Sequence, residues 1–439
     1  MYFSIIEKFL IALVAACSWM ILSIWLSLPW LSDLQELIGV TPALLLIALI
    51  AYVPGFMNAF LIASLLLDKR PPRAPSDIAP AITVLVACYN EADAIVDTIR
   101  SLARQRYSGE VEILLMDDGS TDNTVSLARE AIAALPPQRA AIFRLITAEH
   151  NAGKAAVMNR GLALARFALI ATVDGDSWLA PNGLQRISER YLTDPPDTRA
   201  VAGTILVRNS RRNWITRVQE WDYFHGIAAV KRVQSMYHGT LVAQGAFSIY
   251  DTALLRRLGG WPDCVGEDIV LSWAILKAGY RIGHCEDALM FTNVPDSLRQ
   301  FAQQRRRWAR GLVEAFMRHG GGLLFAPRLS TLFIWWNLFF LPMDLAYTFG
   351  FMPGLLLAAF GYYYIAGGMT LIMLPLAMIC QAVMLRVAGR MFHAQGLRIR
   401  QNASGFFAYA IGYSFILQPV SVWGYASELF GLRKNWGTK

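Results

Sequence analysis

Acidic side chains follow two of the short apolar runs in the middle of the chain. Asp117 and Asp118 end one run, and Asp174 and Asp176 flank a single glycine after another. Two carboxylates separated by one small residue can face the same hard cation, and Mg²⁺ typically takes one or two carboxylates together with phosphate oxygens of a substrate. The pattern therefore indicates a site for a divalent cation and a diphosphate. Each segment is equally suitable as a turn or a helix cap, so neither alone establishes a cation site.

The elements that must position these side chains are strands that alternate with helices. Apolar runs at 82–89, 111–118, 142–147 and 168–174 are bounded by turn residues and separated by patterns of helical periodicity. Strands connected by helices form a parallel sheet, and ligands bind such a sheet at the carboxyl ends of its strands. The acidic residues fall at those ends, which predicts that they share one site.

Several classes of function lack their usual signals. The sequence has no glycine-rich dinucleotide fingerprint, and Gly153-Lys154 lacks the preceding glycine and the following hydroxyl residue of a phosphate loop. The five cysteines are scattered without paired metal spacing, which predicts reduced thiols. The net charge of +8 comes largely from arginines beside apolar segments, and we expect them to serve a membrane surface and anionic ligands, not nucleic acid.

The two ends of the chain carry few charges. Only 16% of the 439 residues are charged, against about 25% in an average soluble domain. Uncharged stretches at 9–30 and 37–67 are long enough to cross a bilayer, which takes about 20 apolar residues. Further candidates lie at 331–353, 366–385 and 402–427, so we expect five membrane spans.

Basic residues next to these spans predict the orientation of the chain. Lys69, Arg70 and Arg73 follow the second span, and an arginine cluster precedes the third, so both ends of the central domain are expected in the cytosol. Five spans place the basic tail at 433–439 outside, against this rule, so either the last segment re-enters or the tail is an exception. The predicted division is two N-terminal transmembrane helices at 1–75, a cytosolic α/β domain at 76–296, amphipathic interface helices at 297–328 and about three C-terminal transmembrane helices at 329–439.

A series of short motifs runs in order from about residue 80 to residue 312. They are Tyr89-Asn90-Glu91, Asp117-Asp118-Gly119-Ser120-Thr121-Asp122, Asn151-Ala152-Gly153-Lys154, Asp174-Gly175-Asp176, Gly266-Glu267-Asp268 and Gln304-x-x-Arg307-Trp308. Together they resemble the motifs of processive membrane glycosyltransferases of family 2, which include cellulose, hyaluronan, chitin-oligosaccharide and poly-N-acetylglucosamine synthases. The chain looks most like the bacterial poly-N-acetylglucosamine synthases. It departs from them in having Gly266 where they often have threonine.

The resemblance implies a fold and an activity. The fold would be a GT-A-like α/β domain with a Rossmann-like, mainly parallel sheet, joined to an α-helical transmembrane region. The activity would be processive, inverting polymerisation from a UDP-sugar at the bacterial inner membrane, with UDP-N-acetylglucosamine and a β-1,6-linked product as the first expectation, and export of the polymer. Chitin-oligosaccharide, hyaluronan or β-glucan synthesis and single-sugar transfer to a lipid phosphate stay open as alternatives.

The resemblance also implies ligands for individual residues. Asp174 and Asp176 would bind Mg²⁺ or Mn²⁺. The residues that would hold the UDP-sugar are Tyr89, Glu91, Asp118, Lys154, Asp174 and Arg307. The expected partners are the UDP-sugar donor, the growing polysaccharide and membrane lipid, and relatives make a small membrane subunit and cyclic di-GMP plausible as well.

The catalytic and acceptor sites follow from the last two motifs. Asp268 and Glu267 would be the catalytic residues, with Asp268 as the general base that takes the proton of the acceptor hydroxyl. Gln304 and Trp308, with Gln244 and Gly245, would bind the acceptor sugar. Two other interpretations stay open: Glu267 and Asp268 could merely cap a helix, and the protein could be a transporter or receptor with an inactive nucleotide-binding domain.

Overall fold

The centre of the protein is one eight-stranded sheet with strand order β3-β2-β1-β4-β7-β6-β8-β5. The computed structural model describes residues 3–69, 78–393 and 402–432. Strands β1 to β4 are parallel to one another, β7 is antiparallel to β4 and β6, β6 and β8 are parallel, and β5 is antiparallel to β8. The strands are β1 Ile82–Cys88, β2 Val111–Asp117, β3 Phe143–Thr147, β4 Leu169–Asp174, β5 Ser177–Leu179, β6 Thr198–Val207, β7 Phe247–Asp251 and β8 Arg281–Thr292.

The register of the parallel strands brings their carboxyl ends to one level. Ala87 of β1 pairs with Met116 of β2 and with Asp174 of β4, so the residues that follow these strands emerge side by side. The predicted α/β fold is confirmed, and the parallel part of the sheet is the part that the apolar runs predict. The second half of the sheet adds antiparallel pairings, which makes the whole sheet mixed.

Helices cover both faces of the sheet and form two cores. Side chains alternate between the faces along each strand: Leu85 and Leu114 face one core, and Val84 and Ile113 face the other. The helices of this region are Ile95–Ala103, Thr124–Ala133, Pro137–Ala140, Lys154–Leu164, Gly183–Thr193, Trp214–Trp221, the π-helical Asp222–Ala229, Val230–Met236, Thr252–Leu258 and Glu267–Lys277.

Within the described ranges, four helical stretches are long and apolar enough to cross a membrane, namely Ile5–Leu26, Val40–Leu66, Thr331–Ala359 and Ala403–Leu429. The second, third and fourth stretches each include a π-helical turn, at Ala48–Tyr52, Tyr347–Phe351 and Ala408–Gly412. The predicted crossing at 366–385 coincides with helix Gly368–His393, which is not among those four, so the count of five spans stays a prediction. The basic residues at 70–73, 398–400 and 433–439 lie outside the described residues. The remaining helices are Leu28–Ile38, Leu298–Ala315, the π-helical Phe316–Gly320 and Gly321–Leu323.

The apolar helices pack directly against the α/β domain. Tyr237 is fully buried, its ring lies 5.2 Å from that of Phe9, and its hydroxyl donates to Ser64 at 3.0 Å. The Arg232 guanidinium forms a buried ion pair with Asp68, at the end of the second apolar stretch. Burial and paired charge together hold the domain to these helices.

Helix Leu298–Ala315 links the start of helix Glu267–Lys277 to the last apolar stretch. A Cβ atom on Gly266 would lie 2.4 Å from the Cα atom of Gly311, so the backbones can approach this closely only because both residues are glycine. On the same helix Glu314 accepts from the Gly266 amide at 2.8 Å, and Arg310 pairs with Glu428 at 2.9 Å. These contacts set the height of the helix over the carboxyl edge of the sheet.

Candidate functional site

Two loops at the ends of β1 and β2 are fastened to each other by Asn90. This residue has a positive φ of 54°, a conformation that asparagine tolerates better than most residues. Its amide donates to the Ser120 hydroxyl at 2.9 Å, and its side-chain oxygen accepts from the Thr121 amide at 2.9 Å. The loop geometry leaves the neighbouring Tyr89 ring 42% exposed at the rim, where a base could stack on it. Glu91 lies one residue further on, and its amide donates to Thr124 at 2.7 Å.

Asp117 and Asp118 have different surroundings although they are adjacent. Asp117 accepts from the amides of Gly119 and Ser120 at 3.1 and 3.2 Å, which makes it a turn residue. Asp118 accepts from the amides of Ala152 and Gly153 at 2.8 and 2.9 Å, so it ties the second strand end to the loop before Lys154. Burial raises the pKa of Asp118, against the effect of those two amides.

Lys154 lies at the centre of a carboxylate cluster. Its ammonium is 2.6 Å from Asp174 and 3.7 Å from Glu267. Burial alone would lower the pKa of Lys154, but Asp174 and Glu267 raise it above its ordinary value, so the lysine is charged. Burial raises the pKa of Glu267 to about 7, although the Lys154 charge acts in the opposite direction. Gly245 packs over this pair, because a Cβ atom there would lie 3.2 Å from the Lys154 ammonium.

Asp268 is oriented by backbone amides at the start of helix Glu267–Lys277. One carboxylate oxygen accepts from the Gly245 amide at 3.3 Å, and the other accepts from the Ile269 amide at 2.7 Å. The Asp268 side chain remains partly exposed, whereas Glu267 is buried. The more accessible carboxylate is the one suited to take a proton from a bound hydroxyl.

Asp174 and Asp176 suit a hard divalent cation. Both are partly exposed at the carboxyl end of β4, and Gly175 between them is held against β1, where a Cβ atom would lie 2.8 Å from that of Cys88. Asp176 accepts from Thr292 at 3.4 Å. No group of three or more acidic, histidine or cysteine side chains arranged for a metal occurs among the described residues, so the remaining ligands of a cation here would be diphosphate oxygens and water.

Helix Leu298–Ala315 brings the last motif to the same edge. The Arg307 charge acts on Glu267, and the Trp308 ring is 40% exposed. The Gln304 side-chain oxygen is buried without a hydrogen-bond partner. Gln244 differs from the expectation for an acceptor ligand in one respect: its side-chain amide donates to the Gly203 carbonyl at 2.6 Å and is thus engaged in holding β6.

An arginine and an aspartate that the motifs do not include lie behind Trp308. Arg305 and Asp222 form a buried ion pair at 2.7 Å, with 5% and 10% of their side chains exposed. The Arg305 guanidinium stacks 4.1 Å from the Trp308 ring centroid. Phe301, Tyr223 and Tyr413 complete the aromatic surroundings. The only signal in the sequence was the position of Arg305 directly after Gln304.

Lys231 is a second residue that the sequence did not reveal. It is buried, its ammonium donates to the Val242 carbonyl, and the Asp268 charge acts on it. Burial lowers the pKa of Lys231 to about 7. Nothing in the local sequence separates this lysine from a surface residue, because its burial depends on the later segment 240–246.

Residues 83–259, which include strands β2 to β7 and the carboxylates at the ends of β2 and β4, match the sequence model of glycosyl transferase family 2. This segment of the chain is therefore similar to glycosyltransferase family 2 domains. The chain is 30% identical over 253 residues to a poly-beta-1,6-N-acetyl-D-glucosamine synthase of Staphylococcus aureus (strain MSSA476), a match that covers 57% of this chain and 59% of that protein. A synthase of the same name from Staphylococcus epidermidis is 29% identical over 250 residues, covering 57% and 58%. The match thus spans less than two thirds of these relatives.

A solved structure confirms the type of fold. Mannosyltransferase PcManGT from Pyrobaculum calidifontis, in complex with GDP-Man and Mn²⁺, superposes with a TM-score of 0.61 at 22% identity. The match covers 89% of this chain and 99% of that chain. At this identity the likeness supports the GT-A-like fold.

Proposed function

We propose that the protein is a membrane-embedded, inverting and processive β-glycan synthase that uses a UDP-sugar, with UDP-N-acetylglucosamine as the first candidate donor. The observation that carries this proposal is the placement of Asp268. Its carboxylate is oriented by two backbone amides, beside the cluster of Lys154, Asp174 and Glu267, and below the helix that carries Trp308. The synthase-named relatives support the choice of donor.

The donor would lie along the carboxyl edge of the sheet. Tyr89 and Glu91 would hold the uracil at the rim, and Asp118 would fix the loop that carries Lys154. Asp174 and Asp176 would hold Mg²⁺ or Mn²⁺, which neutralises charge on the diphosphate. Lys154 and Arg307 would add positive charge where the leaving UDP gains negative charge.

Transfer would be a direct displacement at the anomeric carbon. The bond from the acceptor oxygen to C1 forms as the bond from C1 to the phosphate oxygen breaks, and that electron pair leaves with UDP. The proton of the acceptor hydroxyl passes to the Asp268 carboxylate. A single displacement inverts the anomeric centre, so an α-linked donor gives a β-linked polymer.

The apolar helices would serve the export of the polymer. A hydrophilic polymer cannot cross hydrocarbon unaided. Helix Leu298–Ala315, which carries Gln304 and Trp308, contacts the last of the four apolar stretches, because Arg310 pairs with Glu428. We infer that the chain is a multi-pass protein of a bacterial inner membrane with the transferase domain in the cytosol, and that the growing polymer leaves through the helices.

The direct test uses purified full-length protein in lipid nanodiscs with Mg²⁺ or Mn²⁺ and three donors, UDP-N-acetylglucosamine, UDP-glucose and UDP-glucuronate. We expect UDP release and a polymer that a linkage-specific hexosaminidase digests. The Asp268→Asn variant should lose at least about 10²-fold in rate while it still binds UDP, since general base catalysis contributes about 10²- to 10⁴-fold. Asp263→Asn, an exposed residue shortly before the motif, is the matched control.

Three outcomes would contradict parts of the proposal. Absence of turnover with every donor would reject the synthase function. Short lipid-linked products would favour single-sugar transfer over polymerisation. Full activity of Asp268→Asn would remove Asp268 from the role of base.

A further inference from the structure

An open hollow lies on the side of the α/β domain away from the candidate site. It is lined by the end of helix Ile95–Ala103, the loop 104–106, residues from 135–139 and Pro181. These segments lead into the starts of β2 and β3, whereas the candidate site lies at the carboxyl ends of the strands. The hollow has a volume of about 690 Å³, which is within the usual range for small-molecule sites.

The charged side chains of this hollow are all positive. No aspartate or glutamate lines it. In the described part of the chain, its arginines have no carboxylate partner, whereas elsewhere in the domain an arginine such as Arg190 pairs with Asp194 at 2.6 Å. The four arginines of the hollow are Arg100, Arg104, Arg106 and Arg139.

Helix dipoles do not balance these charges. Helices Ile95–Ala103 and Thr124–Ala133 end close to the hollow, and each C-terminus carries about half a negative charge. Two helix ends therefore offset about one of the four positive charges, which leaves an excess of about three. An anionic ligand would remove the mutual repulsion of these guanidinium groups.

The walls of the hollow are fixed by buried hydrogen bonds. Gln105, only 4% exposed, donates to the Ala180 carbonyl at 2.9 Å and accepts from the Leu184 amide at 3.2 Å. The Arg106 amide donates to the Pro181 carbonyl at 2.7 Å. Leu135 and Pro181 supply apolar surface between the arginines. A site with a fixed frame loses little freedom when it binds a ligand.

We propose that this hollow is a second binding site, specific for a soluble organic molecule that carries two or more phosphate groups. Each guanidinium can contact two phosphate oxygens, and four of them exceed what one phosphate needs. The apolar surface between them would contact the organic part. A lipid headgroup is less suitable, because helix Leu298–Ala315, which contacts the last apolar stretch, lies at the candidate site on the opposite edge of the sheet.

The test measures binding of ATP and of inorganic pyrophosphate to full-length protein by isothermal titration. Excess EDTA prevents metal-dependent binding at the candidate site, and low salt limits screening of the arginine charges. We expect one saturable ATP site, weaker binding of pyrophosphate, and an increase of about 10-fold or more in the ATP dissociation constant of the double variant Arg104→Ala/Arg139→Ala, since hydrogen bonds to charged groups are lost. Arg129→Ala, an exposed arginine outside the hollow on a neighbouring helix, is the control and should bind ATP as the native protein does.

The remaining outcomes count against the site. Absence of saturable ATP binding, or equal binding by the double variant and the native protein, would reject it. An equal loss in Arg129→Ala would show attraction by overall surface charge only. Pyrophosphate binding as tight as that of ATP would reject recognition of an organic part.

Discussion

The ion pair of Arg305 and Asp222 gives a prediction that separates acceptor binding from donor binding. Replacing Arg305 by lysine keeps a positive charge beside Asp222 but removes the planar group that stacks 4.1 Å from the Trp308 ring. A desolvated cation–π contact is worth about 2 kcal/mol, and an exposed one is worth about half of that. Since Trp308 is 40% exposed, we expect a loss of about 1–2 kcal/mol, equivalent to about 5- to 30-fold in affinity.

The assay is the initial rate of UDP release at saturating donor and increasing concentration of an N-acetylglucosamine oligosaccharide. The acceptor KM of Arg305→Lys should rise about 5- to 30-fold, whereas the donor KM stays within about 2-fold. Arg299→Lys, an exposed arginine on the same helix, should change neither value. An unchanged acceptor KM, or equal changes in the two KM values, would refute the argument that Arg305 positions Trp308.

The partner substitution, Asp222→Asn, tests the same pair through stability. It leaves a guanidinium that is only 5% exposed without its counter-charge. Removing one partner of a buried pair costs about 3–5 kcal/mol, so the melting temperature of the purified protein should fall by roughly 10 °C. A fall of less than about 2 °C would show that water reaches the pair.

Three further predictions concern other parts of the site. Asp176→Ala should weaken UDP binding relative to the native protein in the presence of Mn²⁺ but not in EDTA, and equal affinity of the variant and the native protein in Mn²⁺ would reject the metal role. Gly266→Ala should reduce activity by at least about 10-fold, because its Cβ atom meets the Gly311 backbone at 2.4 Å, whereas Gly322→Ala, with its closest contact at 3.6 Å, should not. Lys231→Met should melt above the native protein near pH 7, with a difference that shrinks as the pH rises from 7 to 10.5. The sign follows from the lowered pKa of about 7. Between pH 7 and 10.5 the lysine binds fewer protons in the folded state than in the unfolded state, so the free energy of unfolding of the native protein rises with pH. A difference in melting temperature that stays constant over this interval would contradict the argument.

The first half of the domain could be predicted because its signals are local. Each of β1 to β4 is an apolar run followed by turn residues, and that pattern alone places Asp118 and Asp174 at the carboxyl edge. Burial on both faces explains why β1, β2 and β4 are mostly apolar, whereas the edge strand β3 is only partly buried. The antiparallel pairing of β7 with β4 and β6 could not be predicted in the same way, because strand neighbours in the second half of the sheet are distant in sequence.

The supporting residues of the site were hidden for a similar reason. The role of Asp222 is recognised only from its ion pair with Arg305, and the burial of Lys231 only from its contact with the segment that carries Val242. Motif spacing identifies groups that would touch a ligand, whereas groups that hold those residues in place are recognised by contacts across the fold. Gly266 illustrates the difference, because its departure from the family pattern has its physical explanation in the approach of Gly311.

Helix Leu298–Ala315 connects the last apolar stretch to the candidate site through short contacts at both of its partners. Its Arg310 is paired with Glu428 near the end of the last apolar stretch, and one turn later its Glu314 holds the Gly266 amide, two residues before Asp268. A tilt of that last stretch, such as a thinner bilayer imposes, would thus reach Asp268, the proposed base, through two short contacts. The rate of sugar transfer is then expected to depend on the acyl-chain length of the surrounding lipid. Equal rates in nanodiscs of short-chain and long-chain lipids would show that these two contacts do not transmit a tilt of the last stretch to Asp268.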